Sequence, residues 1–457
     1  MKELKILSPT AILGYGFPLS SFEAGMAKKP DVIAVDGGST DPGPYYLGSG
    51  ISFTDRTAVK RDLEIMIKAA LKTDIPVIVG SAGGSGAKPH LDWCADIVRE
   101  IAKESKLSFK LALIEADIDK ELVLHKLNEG KVLPLYPAKQ LEAYEILKTT
   151  NVVAQMGIEP MVKALEQGAQ VIIAGRAYDP TSFAALAAKD NMDLGLALHL
   201  GKILECAAIA STPGSGSDCM MGYLYEDCFK IETLNPIRKC TTLSVAAHTL
   251  YEKTNPYILP GPGGTLDLSE TTFEQETESL VRVAGTKFIP SKQYTIKLEG
   301  AKRIGYRTVS IAGTRDPIMI NEMDNIISEV KARVEDNFSS HLANYYLNIS
   351  VYGKNGVMGS LEPTPVVTGH EVGIIIEAVA KTQEDANTIC GFARSTMLHF
   401  GYKGRISTAG NLAFPYSPSD FKAGEVYNFT MCHIMEIDDP CELFPISFEQ
   451  LGMEVEL

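Results

Sequence analysis

Short apolar runs alternate with amphipathic segments up to about residue 180 of the chain. Residues 30–35 and 75–79 are apolar runs of strand length, and each leads into a loop rich in glycine. Residues 55–72 and 89–106 then place apolar side chains at the three- and four-residue spacing of a helix face. The pattern continues to a last apolar run at residues 169–174. This alternation predicts an α/β domain in which a parallel sheet carries helices on both faces.

The order of elements changes after about residue 290. Residues 255–265 precede this point and contain three prolines and three glycines, which predicts a long loop. The elements predicted beyond it are strands at 294–298 and 306–312, a helix at 321–334, strands at 345–352 and 373–379, and a helix at 384–400. This order is typical of an α+β domain and predicts a ferredoxin-like arrangement. We therefore divide the chain into an α/β ligand-binding domain, residues 1–290, and an α+β domain, residues 291–457.

The charge of the chain limits the classes of partner. The sequence has 43 Lys and Arg residues against 57 Asp and Glu residues, a formal net charge of −14. Proteins that bind nucleic acid or anionic membranes cluster basic residues on one surface or segment. Here adjacent basic residues occur only in pairs, such as Lys28-Lys29 and Lys60-Arg61. We expect neither nucleic acid nor a membrane as a partner.

The termini and the cysteines indicate a cytoplasmic protein. The N-terminal residues contain no apolar segment of the kind found in signal peptides. The most apolar stretch, residues 194–210, is interrupted by His199, Lys202 and Glu205 and is shorter than the roughly 20 residues of a spanning helix. The 8 cysteines include no CxxC pair, so neither a disulfide framework nor a structural zinc knot is expected.

The loop at residues 80–90 joins a predicted strand to a predicted helix and is rich in glycine. Ser81, Gly83 and Gly84 can bring backbone N–H groups close to an anion, and the helix N-terminus adds partial positive charge. This predicts a cradle for a carboxylate, phosphate or thioester oxygen, with His90 nearby as an acid or base. The alternative is a tight turn that merely requires positive φ angles. The loop matches neither a dinucleotide fingerprint nor a P-loop, so no NAD or ATP motif is present.

A second polar loop covers residues 36–50. Ser39 and Thr40 are short hydrogen-bond donors, while Asp41 and the later Asp55 are hard oxygen ligands or bases. This mixture suits a hydroxylated substrate or a divalent cation. The alternative for Asp41 is a local turn in which its side chain bonds the backbone.

A third polar loop contains Arg176 and Asp179. An arginine at the carboxyl end of a strand can bind a carboxylate through two hydrogen bonds, and the aspartate can orient it or act on the substrate. The alternative is an ion pair between the two side chains. Because the carboxyl ends of parallel strands share one edge of a sheet, the three loops should lie together.

Two further segments contain candidate residues. Residues 199–206 read as a helix on which His199, Lys202 and Cys206 share one face, beside Glu205. Such a group can depress a thiol pKa or transfer protons, and the alternative is a buried cysteine that acts as a small apolar residue.

Residues 299–317 place Glu299, Arg307 and Arg315 around two predicted strands. The arginines suit a multiply charged anion, and the alternative is surface ion pairing.

The loop motifs resemble a known family. Residues 36–50 (DGGSTDPGPYYLGSG) and 175–180 (GRAYDP) look like the acyclic terpene utilisation (AtuA-like) family, and residues 199–206, 299–301 and 315–317 are similar to it as well. The resemblance implies a place in the catabolism of branched acyclic compounds through acyl-CoA thioesters. Longer members of the family carry a small C-terminal domain, so a small partner subunit is expected for this chain. The resemblance carries no catalytic residue over to this sequence.

We therefore predict lyase or hydratase chemistry on a small anionic substrate, a carboxylate or its CoA thioester, in a homo-oligomer. The candidate residues fall into three groups by role. The predicted catalytic residues are Asp41, His90 and Asp179; the substrate-binding ones are Ser39, Thr40, Ser81, Gly83, Gly84, Arg176, Arg307 and Arg315; the accessory ones are His199, Glu205 and Glu299. The cofactor is left open, with a divalent cation as the candidate. The alternatives are a non-catalytic ligand-binding or scaffold subunit of a larger enzyme, and a hydrolase with Cys206 or Ser81 as nucleophile.

Overall fold

A computed structural model gives the fold and describes residues 3–251, 255–339, 344–364 and 366–452. The chain divides into two compact units, each described here by itself. Unit 1 contains residues 1–302 and 429–457, and unit 2 contains residues 303–428. The sequence-based division placed the cut at 290 and assigned residues 429–457 to the second domain, whereas these residues belong to unit 1 in the structure. None of the described helices is both long and apolar enough to cross a membrane.

The described residues form these helices, in chain order: α1 (Leu19–Ala27), α2 (Pro44–Ser49), α3 (Arg56–Thr73), α4 (Lys88–Glu104), α5 (Lys120–Asn128), α6 (Ala143–Lys148), α7 (Glu159–Glu166), α8 (Thr181–Lys189), α9 (Leu194–Leu204), α10 (Thr242–Thr249), α11 (Pro317–Asn321), α12 (Met323–Phe338) and α13 (Gln383–Leu398). The strands are β1 (Leu4–Ser8), β2 (Val32–Asp36), β3 (Val77–Gly80), β4 (Phe109–Ile114), β5 (Val132–Pro134), β6 (Asn151–Gln155), β7 (Val171–Ala174), β8 (Met220–Leu224), β9 (Cys228–Thr233), β10 (Ile258–Gly261), β11 (Gly264–Asp267), β12 (Thr272–Gln275), β13 (Leu280–Ala284), β14 (Lys287–Pro290), β15 (Tyr294–Thr314), β16 (Tyr346–Tyr352), β17 (Val372–Ala380), β18 (Asp420–Ile437) and β19 (Ile446–Leu451).

The main sheet of unit 1 has the strand order β12-β13-β9-β8-β1-β2-β3-β7-β4-β19. Its centre, from β1 to β4, is parallel, as the alternating pattern predicts. The flanking strands are antiparallel, with β8 added to β1 on one side and β19 to β4 on the other. The α/β class is therefore confirmed, but the sheet is mixed rather than purely parallel.

The central strands are apolar throughout because both faces of the sheet are covered. Ile33, Val35 and Val79 pack with α3 and α4 in one core, whereas Ala34 and Ile78 pack with α8 and α9 in the other. Successive side chains of a strand point to opposite faces, so a continuous apolar run serves both cores.

Two predictions of local structure were wrong. Residues 255–265 were expected to be a loop, but β10 and β11 form an antiparallel hairpin there. Residues 294–312 were expected to contain two strands, but β15 is one strand of 21 residues. Gly300 and Gly305 lie in its interior. A Cβ at Gly305 would collide with the backbone of Ala380 on β17, and one at Gly300 would lie tightly against Thr430 and Met431 of β18, so these glycines permit close approach rather than a turn.

Unit 2 contains the second part of β15, followed by α11, α12, β16, β17, α13 and the first part of β18. Strand β17 pairs antiparallel with both β15 and β16. Helices α12 and α13 pack their buried side chains into one apolar core with these strands. The sequence predicts two separate strands at the start and no strand after the last helix, whereas the structure has the single strand β15 at the start and β18 after α13. The ferredoxin-like arrangement stays a prediction.

Candidate functional site

A cavity of about 220 Å³ opens in unit 1 beside the loop that follows β2. Four of its lining residues are acidic, and no Lys or Arg is among them. The lining residues are Ala11, Ile12, Asp36, Gly38, Ser39, Asp41, Pro42, Asp179, Glu205, Cys206 and Tyr251. The cavity therefore brings together four residues predicted from the sequence, Ser39, Asp41, Asp179 and Glu205.

The three polar loops meet as expected at the carboxyl edge of the parallel strands. The backbone N–H of Gly37 donates to the carbonyl of Gly80 (2.8 Å), and that of Ser81 donates to the carbonyl of Gly175 (3.1 Å). Gly86 has a φ of +65°, and a Cβ there would collide with the backbone of Arg176. Glycine at this position lets the loop after β3 lie directly against the loop after β7.

Asp36 is the last residue of β2 and is only 6% exposed. Its Oδ1 accepts no hydrogen bond from any of the described residues. Burial raises the pKa of this carboxyl well above its ordinary value of 3.8, repulsion from Asp179 and Glu205 raises it further, and Arg176 opposes the rise. Asp36 thus holds a proton at higher pH than an exposed aspartate does, which is the property of a proton donor.

Arg176 lies behind the cavity wall and is 2% exposed. Its Nε donates to Oε2 of Glu299 (2.7 Å), and its Nη1 donates to Oγ of Ser81 (3.1 Å), the carbonyl of Ala177 (3.0 Å) and Oδ1 of Asp179 (3.2 Å). Burial alone would lower the pKa of Arg176, but the charges of Glu299 and Asp179 outweigh it and raise the pKa. These contacts make Arg176 the centre of a buried ionic network. Direct binding of substrate by Arg176 stays a prediction.

Glu299 links the network to two further groups. Its Oε1 accepts hydrogen bonds from Oγ1 of Thr40 (3.0 Å) and Nζ of Lys297 (2.8 Å). Burial would raise the pKa of Glu299, but Arg176 and Lys297 outweigh it and lower the pKa to about 2. Glu299 is therefore an ionised anchor that holds Arg176 and Thr40 in place.

Asp41 and Asp55 take part in local backbone structure. Oγ of Ser39 donates to Oδ2 of Asp41 (2.7 Å), and the backbone N–H of Asp41 donates back to that Oγ (3.1 Å). Asp55 caps α3, accepting the backbone N–H groups of Thr57 (2.9 Å) and Ala58 (3.1 Å). Asp41 also lines the cavity, and its catalytic role stays a prediction, whereas the cap accounts for Asp55.

The backbone donors of the glycine loop are mostly engaged. The N–H groups of Ser81, Ala82, Gly84 and Gly86 donate to backbone carbonyls at 2.9–3.1 Å. Positive φ angles at Gly83 and Gly84 shape the turn, as the alternative interpretation requires. An oxyanion cradle in this loop stays a prediction, and these four donors are already committed within the protein.

His90 and His199 are both fully buried. Nε2 of His90 lies 3.1 Å from the carbonyl of Ile51, and burial lowers its pKa. Nδ1 of His199 lies 2.7 Å from Oγ1 of Thr286, and its Nε2 lies 3.0 Å from Oγ1 of Thr249. Burial, and secondarily Lys202, lowers the pKa of His199 to about 3. Neither histidine lines the cavity, so their catalytic and accessory roles stay predictions without support from contacts.

Because His199 is buried and its pKa is lowered, we expect the folded protein to lose stability in acid. The unfolded chain takes up a proton below the ordinary pKa of 6.5, whereas the folded protein does not until about 3, so stability falls as the pH drops through this window. Between about pH 6.5 and about pH 5, we expect the free energy of unfolding of the wild type to fall by about 1–2 kcal/mol more than that of His199→Gln. Urea unfolding of both proteins across this range measures the difference. His125→Gln, which changes an exposed histidine, is the control, and an equal effect in the control would contradict the prediction.

Arg307 and Arg315 belong to unit 2. Nε of Arg307 pairs with Oε1 of Glu377 (2.6 Å), in line with the surface ion-pair alternative. Arg315 lines a separate cavity of about 390 Å³ together with Glu371 and the segment from Ala413 to Pro415. Their part in binding substrate stays a prediction.

Sequence reasoning missed Asp36 and His248 as site residues. Asp36 ends an apolar strand, and an acidic residue at that position of a parallel strand is the signal that would have identified it. His248 lies on α10, far along the chain, and no local pattern connects it to Glu205 and Cys206. Together these three offer ligand atoms within 4.8 Å of one another.

Comparison with known proteins places the chain in a family. A sequence model of a protein family, described as "Acyclic terpene utilisation family protein AtuA", matches residues 55–218 and 237–416. The matched segments contain the glycine loop, Arg176 and Asp179, while residues 36–50 precede them. No curated protein and no solved structure matches the chain. Because the match covers most of the sequence, the resemblance is confirmed: this chain belongs to the acyclic terpene utilisation AtuA family.

Proposed function

We propose that the chain is an enzyme of acyclic terpene utilisation that performs lyase or hydratase chemistry in the cavity of unit 1. The family match supports the metabolic role. The observation that supports the chemistry is Asp36, a buried carboxyl of raised pKa that lines the same cavity as Asp179 and Glu205. A proton donor and carboxylate acceptors in one cavity are the two groups that an addition or elimination of water needs.

In the proposed reaction, one carboxylate accepts a proton from the substrate and Asp36 donates one. In the eliminating direction, Asp179 accepts the proton next to the substrate carbonyl, and the electron pair of that C–H bond forms the C=C bond. The C–O bond to the leaving hydroxyl breaks, and Asp36 donates its proton so that the hydroxyl leaves as water. The hydrating direction is the reverse.

The charge of the cavity lining indicates which form of the substrate it can bind. The lining residues Asp36, Asp41, Asp179 and Glu205 supply carboxyl groups and no fixed cation. A free carboxylate would find no cationic side chain in the lining to pair with, whereas the reacting end of a CoA thioester carries no charge. For the cavity without a bound cation, we therefore favour the thioester over the free acid.

The test is a screen for turnover in D₂O. The purified protein is incubated with 3-hydroxyacyl-CoA thioesters, the matching enoyl-CoAs and the free hydroxy acids, and NMR follows deuterium incorporation and alkene formation. We expect turnover of at least one thioester and a loss of about 100-fold or more in Asp179→Asn if Asp179 is the base. The control is Asp74→Asn, an exposed helix-cap residue outside the cavity.

Two outcomes would contradict the stand-alone enzyme. One is no exchange or turnover with any compound of the panel. The other is turnover only after a second protein is added, which would support the scaffold-subunit alternative. The cytoplasmic location, the homo-oligomer and the small partner subunit remain predictions from the sequence.

A further inference from the structure

We propose that Glu205, Cys206 and His248 form a binding site for a transition-metal dication, with zinc as the preferred ion. The three side chains offer carboxylate, thiol and imidazole ligand atoms that all lie within 4.8 Å of one another. Ligand atoms around a tetrahedral zinc ion lie about 3.5 Å apart, given bond lengths of about 2.0–2.3 Å. A contraction of about 1 Å would therefore bring the three atoms into contact with one ion.

His248 supplies an independent indication of a ligand. The residue is 6% exposed, and its Nε2 has no hydrogen-bond partner among the described residues. Buried ring nitrogens normally bond to a hydrogen-bond donor, an acceptor or a metal. Within the described part of the chain, Nε2 of His248 has no such partner and is therefore able to bind a metal ion. A metal ion between the three side chains would satisfy it.

The donor types favour zinc over magnesium or calcium. Sulfur and imidazole nitrogen are ligands that zinc and neighbouring transition metals prefer, whereas magnesium and calcium select oxygen. The ligands foreseen from the sequence, Asp41 and Asp55, are oxygen donors that take part in a local turn and a helix cap. These donors therefore favour a transition metal such as zinc over the oxygen-binding cation expected from the sequence.

The position of the ligands leaves one side of the ion open. Glu205 and Cys206 both line the cavity of about 220 Å³ that contains Asp36. Three protein ligands with a fourth position facing a cavity are the arrangement of catalytic rather than structural zinc sites. A dication here would also offset the charge of the Asp179 carboxylate. The metal site does not depend on the proposed reaction.

Lys202 is the group that competes with the metal. Its ammonium donates to Oε1 of Glu205, and it lies 5.4 Å from the ring centroid of Tyr251. A cation that binds Glu205 is repelled by this ammonium. Removal of the Lys202 charge should therefore strengthen metal binding.

Cobalt is the probe for the first experiment, because a cobalt–thiolate bond gives a charge-transfer absorption band. The full chain, freed of metal with EDTA and kept reduced, is titrated with Co²⁺ and then with Zn²⁺. We expect one equivalent of Co²⁺ to bind with a thiolate band that Zn²⁺ abolishes. The band should be absent in Cys206→Ser and present in Cys441→Ser, which changes a cysteine of similar exposure outside the cluster.

The affinities of two further variants complete the test. His248→Gln should weaken Co²⁺ binding about 100-fold, and Lys202→Met should strengthen it about 10-fold. Wild-type protein that binds no Co²⁺, or a band that Cys441→Ser removes as fully as Cys206→Ser, would overturn the site. A weaker affinity in Lys202→Met would contradict the placement of the ion against Glu205. These outcomes are read from absorbance alone, so they stand whether or not turnover is found.

Discussion

Replacement of Arg176 with methionine is expected to lower the free energy of unfolding of unit 1 by about 3–5 kcal/mol. The guanidinium is 2% exposed and pairs with Glu299 at 2.7 Å and Asp179 at 3.2 Å. Methionine fills much of the same space but leaves the Glu299 carboxylate buried with Lys297 as its remaining charged partner. The loss of the Arg176 charge beside Glu299 and Asp179, rather than the lost volume, is the cause of the expected destabilisation.

Trp93 makes the measurement specific for unit 1. It is the single tryptophan of the chain, and it lies on α4, packed against a core of unit 1. Its fluorescence during urea unfolding therefore reports on the unit that contains Arg176. The control is Arg56→Met, which removes an exposed arginine paired with Glu100 and should change the free energy of unfolding by less than about 1 kcal/mol.

A double variant separates the ion pair from general damage. If the two buried charges depend on each other, Arg176→Met combined with Glu299→Gln should be less destabilised than the sum of the single variants by about 1–3 kcal/mol. Effects that add within about 0.5 kcal/mol would show that the two residues act independently, against the network described above.

The sequence permitted prediction of the carboxyl edge of the sheet but not of what its side chains contact. Apolar runs identified β2, β3 and β7, and parallel pairing then required the loops that carry Ser39, Ser81 and Arg176 to meet. The burial and the partners of individual side chains at this edge could not be foreseen in the same way. The sequence predicts that Arg176 binds substrate, but it does not reveal that Nε of Arg176 donates a hydrogen bond to Glu299, a residue of β15 that lies 123 positions later in the chain. Contacts at this distance in sequence leave no local pattern.

The flanks of the sheet were missed for a similar reason. Strands β8 and β19 pair antiparallel with the central strands β1 and β4, and β9 and β13 continue the sheet beyond β8. Strand β19 comes from the C-terminal end of the described chain. Their periodicity resembles that of strands in any sheet, so pairing partners depend on tertiary packing rather than on the segment itself. The same is true of His248, which reaches Glu205 and Cys206 from a helix that the sequence did not connect with them.

Asp36→Asn is expected to lower the rate of turnover strongly and at the same time to stabilise unit 1. Asparagine has nearly the same shape but neither donates an acidic proton nor carries a charge. We expect kcat to fall by about 10²–10⁴-fold, the usual effect of removing a general acid. Turnover is followed with the thioester found in the D₂O screen, and the exposed Asp74→Asn variant is again the comparison.

The sign of the stability change follows from the raised pKa of Asp36. Above its ordinary pKa of 3.8, the unfolded chain loses the proton that the folded protein retains, so the wild type loses stability as the pH rises until the folded pKa is passed. Asparagine has no proton to lose. Near neutral pH the variant should therefore be more stable than the wild type by at least about 1 kcal/mol, with a shallower fall of stability above about pH 4.

The combination of the two effects distinguishes a functional from a structural carboxyl. A structural Asp36 would stabilise the fold, and its replacement would lower both the free energy of unfolding and the activity. Urea unfolding followed by Trp93 fluorescence between about pH 4 and about pH 8 decides between them. A variant that is less stable than the wild type at neutral pH would refute the assignment of Asp36 as the proton donor. Higher stability with lost turnover is the pattern expected of a buried acid kept for chemistry, because its burial is unfavourable to the fold.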